Sequence, residues 1–443
     1  MTPSQRSVLA TALVFAWLVG VRGADAQVKP AAAAPTFTKD VAPILQQACQ
    51  RCHRPNSIGP MSLLTYEEAR PWVRSIRTKV SSREMPPWHI DRTVGVRKFK
   101  NDPSLTEKEI GTIVKWADAG APQGNPADMP PPIDWGPADR WSITPNLIVN
   151  LKKDAIVKAA DADQWWNLEM EATGLTEDRY IKAIEIKPTK GVPTVHHANA
   201  HAELPDGTST GSLVEYAVGK GGEIYPEGSA KMLPAGSTMV INVHVHSGGE
   251  ETLTNLAVGF ELYPPGYKPR TVHLSRMAGN SEEIDIPPGE PNARVDGYNI
   301  VKQAMRITAF QPHMHSRGKR QCLEAVYPPS PTDYWPVHRG EDRARSEILS
   351  CADWRFNWHL SYTYDDDVAP LLPAGTVLHV TSWYDNSPAN KANPDPTAWT
   401  GFGQRTVDEM GFAFLTVNYM TEDEYQAAVK ARQETRRSTQ QEP

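Results

Sequence analysis

Leu233-Pro234-Ala235-Gly236-Ser237-Thr238-Met239-Val240-Ile241-Asn242-Val243-His244-Val245-His246 reads as a turn that feeds a strand ending in two histidines. Proline and glycine supply the turn, and the β-branched, apolar run from Thr238 to His246 supplies the strand. The phrase recurs. Leu372-Pro373-Ala374-Gly375 precedes a second β-rich run, Thr376 to Tyr384, 139 positions later. A turn–strand unit repeated at that distance predicts two related β domains. Working outward, short alternating runs separated by Pro and Gly begin at Trp141, and they predict antiparallel sandwiches. Pro264-Pro265-Gly266 divides them, giving one domain over 141–268 and another over 269–425. The 443 residues are enough for about three domains, and 39 prolines favour short strands over long helices.

Histidine placement gives these domains a chemistry. Of 13 histidines, seven fall in three short groups: His196-His197 with His201, His244-Val245-His246, and His313-Met314-His315. On a strand, residues i and i+2 share a face, so each H-x-H pair is able to converge on one metal. His196 and His197 would point to opposite faces of a regular strand, so their joint ligation needs a bulge or a strand end. Imidazole-rich sites suit copper, zinc or iron. The repeat position of His244 is Trp383, so the second domain needs a donor from elsewhere.

Upstream lies Cys49-Gln50-Arg51-Cys52-His53, the C-x-x-C-H signature of covalent haem c attachment. Its two thiols form thioethers and His53 supplies an axial iron ligand. Thr38 to Ala48 carries Val41, Ile44, Leu45 and Ala48 at helical spacing. Thr106-Glu107-Lys108-Glu109 is a capping-box pattern, followed by Ile110, Ile113, Val114 and Ala117 on one face and Gly120 as a stop. Between them, Met85 in Glu84-Met85-Pro86-Pro87-Trp88 suits the sixth iron position, with Met61 and His89 as competitors. These segments predict a small all-α domain over 36–122, and a Pro-rich linker follows over 123–140. Residues 1–26 read as a signal peptide: Arg6, an apolar run from Val8 to Val21, and Ala24-Asp25-Ala26 as cleavage site. Export to the periplasm follows, with no stable membrane insertion once the signal is removed. It also fits haem c, and it makes Cys322 and Cys351 a plausible disulfide. Net charge is −6 without a basic cluster, which argues against nucleic acid as a partner. A polar tail over 426–443 reads as a helix that frays.

Two resemblances sharpen this reading. Residues 36–122 resemble a class I cytochrome c domain. Val195-His196-His197, Val240-Ile241-Asn242-Val243-His244, His313-Met314-His315 and Asp408-Glu409-Met410 occur in the order found in copper type II, ascorbate-dependent monooxygenases, and residues 141–425 resemble that family. It includes peptidylglycine α-hydroxylating monooxygenase and dopamine β-monooxygenase. The resemblance implies two jelly-roll domains, each holding one copper across a solvent-filled cleft. It implies that His196, His197 and His244 form an electron-transfer copper site, with His246 as an alternative to His244; it does not call for His201 as a ligand. It further implies that His313, His315 and Met410 form the oxygen-activating site. The expected activity is hydroxylation of a substrate C–H bond by O2, with electrons drawn from a periplasmic donor through the chain's own haem.

The chain also departs from the family. Peptide-hydroxylating members carry a carboxylate-binding arginine two residues before H-x-H, where this chain has Gln311. Beyond Met410 stand Gly411, Phe412, Ala413 and Phe414 instead of polar substrate-binding groups. Losing a cation and gaining two phenyl rings predicts a neutral, partly apolar small-molecule substrate. The rival functions are a non-catalytic haem and copper electron carrier, a haem-fused copper nitrite reductase and a zinc hydrolase. The second lacks a blue-copper Cys-His-Met pattern around Cys322 or Cys351, and Met410 is a poor zinc ligand.

Overall fold

The computed structural model describes residues 34–441, apart from 56, 58, 101, 136–139, 161–163, 218–220, 281 and 329–345. The signal-peptide expectation over 1–26 lies outside the described residues. Among those residues no helix is long and apolar enough to cross a membrane. Strands dominate, arranged in several sheets.

The repeat seen in the sequence is a repeat of topology. In the first β unit, strands Gln164–Ala172, Thr238–Val245, Val195–Glu203 and Ser209–Ala217 lie side by side in that order. In the second, strands Ala293–Ile300, Val377–Tyr384, Gly318–Val326 and Ser346–Asp353 do the same. Each time, the strand introduced by Leu-Pro-Ala-Gly inserts between the first and second strands of its sheet. The opposing sheet of the first unit runs Leu147–Asn150, Thr252–Leu262, Arg179–Lys190, Ser229–Leu233. That of the second runs Thr271–Gly279, Phe412–Tyr419, Met305–His313. Apolar side chains from both sheets of each unit fill its core: Ile184, Phe260 and Ile241 are completely buried in the first, and Ile307, Phe310 and Leu323 in the second. A short parallel pairing, Ser229 with Thr271 and Ala230 with Val272, makes one continuous eleven-stranded sheet of the two opposing sheets.

Residues 37–118 contribute short helices around a separate apolar core. Phe37–Val41 is a π turn that continues as helix Ala42–Ala48, and Val73–Ser81 and Glu107–Asp118 pack beside it. The predicted capping box is present: Thr106 Oγ1 accepts the Glu109 N–H, and Glu109 accepts the Thr106 N–H. In the last helix Ile113 and Trp116 are the buried residues. Trp116 enters the core where the 3.6-residue pattern had suggested Val114, because its ring packs against Phe37 and its indole N–H donates to the Pro122 carbonyl at 3.1 Å.

This helical segment is not self-contained. Between its last two helices the chain runs along the edge of strand Ser346–Asp353. The Asp91 N–H donates to the Cys351 carbonyl at 2.8 Å, the Val96 N–H to Leu349 at 2.9 Å, and the Asp353 N–H to His89 at 3.0 Å. Ile90 and Phe99 are buried in the core of the second β unit, with Trp88 and Val96 packed against it. The expected boundary at 122 therefore divides the helices but not the packing. An otherwise open sheet edge is covered, which satisfies its backbone groups. Cys322 and Cys351 face each other in register on that sheet and form a disulfide. The tail is one helix, Glu422–Gln441, tied down where Arg432 donates to the Ala369 carbonyl at 2.8 Å.

Candidate metal centre

Strand Val195–Glu203 turns Val195, Ala198, Ala200 and Ala202 into the first core. Two residues, His196 and His197, stand where alternation allows one. The ladder absorbs the extra residue: Val195 pairs with Val245, His197 pairs with His244, and the register slips between them. This is the irregularity that ligation by adjacent histidines requires. On the neighbouring strand Ile241, Val243 and Val245 face the core, leaving His244 on the opposite face.

His196, His197 and His244 each bring a ligand atom within 4.8 Å of the others. Their ring centroids are 5.6, 5.0 and 5.1 Å apart for 196–197, 196–244 and 197–244. Metal–nitrogen bonds of about 2.0–2.1 Å at tetrahedral to trigonal angles place ring centroids roughly 5–5.5 Å apart, so the triad fits one first-row ion. Trp165, the register partner of His244, lies flat against it at 4.6 Å and edge-on to His197 at 4.5 Å. Burial, and then the neighbouring imidazoles, hold His197 well below the usual range. A neutral ring keeps a lone pair for a metal. His246 lies outside the triad with its ring 6.1 Å from His196, and His201 stands beside Glu203 at 3.4 Å.

The second group is built at a corner. His313 ends strand Met305–His313, and His315 lies in the turn before Gly318–Val326. Met314 is fully buried in a small core with Trp354 and Tyr384, so alternation directs the two histidines away from it. Their rings are 5.5 Å apart, and burial, followed by His315, pushes His313 down to about 3.

Asp408-Glu409-Met410 reaches this corner through its first two residues. His315 Nδ1 lies 3.1 Å from the Asp408 carbonyl oxygen, which accepts from it when that nitrogen carries the proton. The completely buried Glu409 accepts the His315 N–H at 2.8 Å and the Arg317 N–H at 2.6 Å. Burial raises its carboxyl to about 8, opposed by those N–H groups. Met410 follows directly: its carbonyl accepts the Tyr384 hydroxyl at 2.8 Å, and Phe412, two residues on, is the register partner of His313. Trp383, at the repeat position of His244, instead packs under the Arg294 guanidinium.

Sequence reasoning missed His359. Its ring lies 4.6 Å from His197, 5.6 Å from His313 and 6.0 Å from His196. Burial drives it well below the usual imidazole range. No spacing marks it, because it stands alone at the end of Trp354-Arg355-Phe356-Asn357-Trp358-His359. The resemblance implied two sites facing across solvent. The structure instead places a buried ring between the two groups, and the histidines form one continuous cluster.

Gln311 has a different environment from the one its position suggested. Its amide donates to Glu215 of the first β unit at 2.7 Å, so it ties the two units together. Phe414 stands 5.2 Å from the His313 ring and 6.5 Å from Phe412.

Cys49, Cys52 and His53 form one tight turn, with the Cys52 and His53 N–H groups both donating to the Cys49 carbonyl, at 3.1 and 2.9 Å. Both thiols are free. Burial, then Cys52, pushes Cys49 up to about 12, and burial lowers His53, whose Nδ1 is buried without a partner. Met61 packs with Cys49 in the helical core, whereas Met85 and His89 line a cavity of about 880 Å³ shared with Trp354 and Phe356.

No family model matches the chain, and no curated protein matches it. Among solved structures, the major capsid protein P2 from bacteriophage PM2 aligns at 9% identity over 62% of this chain and 98% of that one, with a TM-score of 0.25. The CBM22-1–CBM22-2 tandem domain of Paenibacillus barcinonensis Xyn10C aligns at 9% identity over 61% of this chain and 91% of that one, with a TM-score of 0.16. At such scores neither likeness bears on fold or function.

Proposed function

We propose that the chain is a periplasmic copper-dependent monooxygenase of the family it resembles, with two jelly-roll domains and an N-terminal cytochrome c domain. The observation that carries this reading is the cluster of histidines drawn from both β units, one half of it fitting a single metal ion. His196, His197 and His244 would hold one copper, and His313, His315 and Met410 the other. Cys49 and Cys52 would hold haem c, with His53 and Met85 as donors to its iron. Bound copper would supply one-electron chemistry and O2 activation, and haem would relay the electrons. The overall change is R–H plus O2, two electrons and two protons to R–OH and water, with a periplasmic donor as reductant.

The residues around the cluster set its conditions. Asp408 and Glu409 orient His315, Trp165 fixes His244, and Phe412 with Phe414 offers an apolar wall next to His313. A neutral, partly apolar substrate suits that wall, because phenyl rings offer a carboxylate no hydrogen bond. An arginine at 311 would meet Glu215 before it met a substrate.

The burial of the cluster favours one alternative, a haem and copper electron carrier without catalysis. Reduced protein, matured in a periplasm, should be given O2 with neutral aromatic and aliphatic compounds and with a glycine-extended peptide. Hydroxylation of a neutral compound, lost in Met410→Ala, is expected. Redox cycling without product would establish the carrier, and efficient peptide turnover would overturn the substrate reading.

A further inference from the structure

The eleven-stranded sheet carries a polar row on the face turned away from the second core. Ile307 and Val417 point into that core, so alternation sends Arg306 and Asn418 to the other face. Arg306 is the register partner of Asn418, and Asn418 is the register partner of His273. The three side chains therefore stand side by side on neighbouring strands, at the short spacing of directly opposed residues. The first β unit closes one end of the row. His273 Nε2 lies 2.8 Å from Ser229 Oγ, whose own proton goes to the Pro226 carbonyl at 2.7 Å, so His273 is the donor there.

Beyond His273 the row meets a cavity of about 320 Å³ at the joint between the two β units, bordered by Pro226, Gly228 and Thr271 as well as by Arg306 and Asn418. Asn418 is only 7% exposed, yet its Nδ2 amide is buried without a hydrogen-bond partner, and so is Nε of Arg306. Two buried donors left unmatched at neighbouring positions are costly unless a ligand supplies the acceptors. The Arg270 guanidinium lines the same cavity and donates to the Glu227 carbonyl at 3.4 Å.

Glu227, Asp366 and Glu424 line it too. Asp366 accepts from Lys100 at 2.9 Å, and Glu424 accepts the Thr421 N–H at 2.7 Å and its hydroxyl at 3.1 Å. Set against the two guanidinium groups, that leaves the Glu227 carboxylate. Paired N–H donors, one of them on a guanidinium, suit the two oxygens of a planar carboxylate. A doubly charged phosphate would meet twice the repulsion from the acidic neighbours. Pro226, Tyr419 and Met420 give the remaining wall apolar surface.

We propose that this cavity binds a small organic monocarboxylate, with Arg306 and Asn418 donating to its oxygens and Arg270 adding positive charge. The site shares no residue with the histidine cluster, and the inference does not rest on the copper reading.

The full chain is titrated by calorimetry with acetate, butyrate and benzoate, with butyramide and benzamide as their uncharged counterparts, and with inorganic phosphate. We expect saturable binding of at least one carboxylate. Its amide should bind roughly tenfold or more weakly, the loss that follows when a hydrogen bond to a charged group is given up. Arg306→Gln and Asn418→Leu should each weaken the same carboxylate by about tenfold. Failure of all three carboxylates to bind would overturn the proposal. So would an amide that binds as tightly as its acid, or phosphate that binds more tightly than any of them. Carboxylate binding unchanged in both variants would place the site elsewhere and overturn it as well. Should either variant fail to fold, Asn418→Asp, equal in size but repelling an anion, decides in its place by the same loss of binding.

Discussion

Glu409 shows how one residue organises a site it does not join. It lies in the core with both oxygens committed to backbone N–H groups of His315 and Arg317. Leaving a buried N–H without its acceptor costs roughly 1–3 kcal/mol. Glu409→Ala should therefore cost about 2–4 kcal/mol in urea unfolding and lower copper content by one ion per chain, while Glu409→Gln, which keeps one acceptor, should lose less. Unchanged stability and copper content in Glu409→Ala would show that the corner holds His315 without it. Trp165 plays the corresponding part beside His244. Trp165→Ala should weaken metal retention at the triad, read as faster copper loss to a chelator, with the second site unaffected.

At the scale of elements, the segment from Trp88 to Phe99 changes what can be removed from the molecule. Ile90→Ala in the core of the second β unit should cost about 2–5 kcal/mol, as for other large-to-small core changes. Deleting everything before the linker should yield insoluble protein, because it strips Trp88, Ile90 and Phe99 from that core and bares the edge of strand Ser346–Asp353. A soluble, monomeric truncated form would contradict this packing. The disulfide crosses the same sheet one strand in. Replacing Cys322 and Cys351 together by Ala should lower stability by about 2–4 kcal/mol, measured by thermal or urea unfolding. Much of this level was legible in the sequence. The Leu-Pro-Ala-Gly turns located equivalent strands, Thr106 and Glu109 announced a helix start, and adjacent histidines announced a bulge. Such signals are local, so a single stretch of chain carries them. The edge contact of residues 89–96 was not legible, since it pairs segments more than 250 positions apart and the proline-rich run before it reads as a loop. His359 was hidden for the same reason: a lone histidine acquires meaning only from the rings that tertiary folding brings around it.

At the scale of the whole molecule, the two β units are joined at several independent points. They share the parallel pair at Ser229 and Thr271, the Gln311–Glu215 hydrogen bond and the histidine cluster. His273, next to the parallel pair, is buried, stacked on Tyr225 at 4.7 Å and 2.8 Å from Ser229 Oγ. Burial, and then Lys231, lowers it to about 3. In the unfolded chain it takes up a proton below about 6.5. Between those values the unfolded state binds the extra proton, so stability falls on acidification, by up to about 1.4 kcal/mol per pH unit for this one group. His273→Gln should flatten the loss of stability between pH 7 and pH 5 relative to the unmodified protein; parallel urea curves at the two pH values would refute that. On the proposed reading, one chain gathers a haem and two copper ions. The most direct measurement is the metal content of the full chain matured in a periplasm equipped for haem attachment. One iron in covalently bound haem and two copper ions per chain are expected, falling to one copper in His197→Ala. Zinc in place of copper, or iron that is absent or freely extracted, would contradict it.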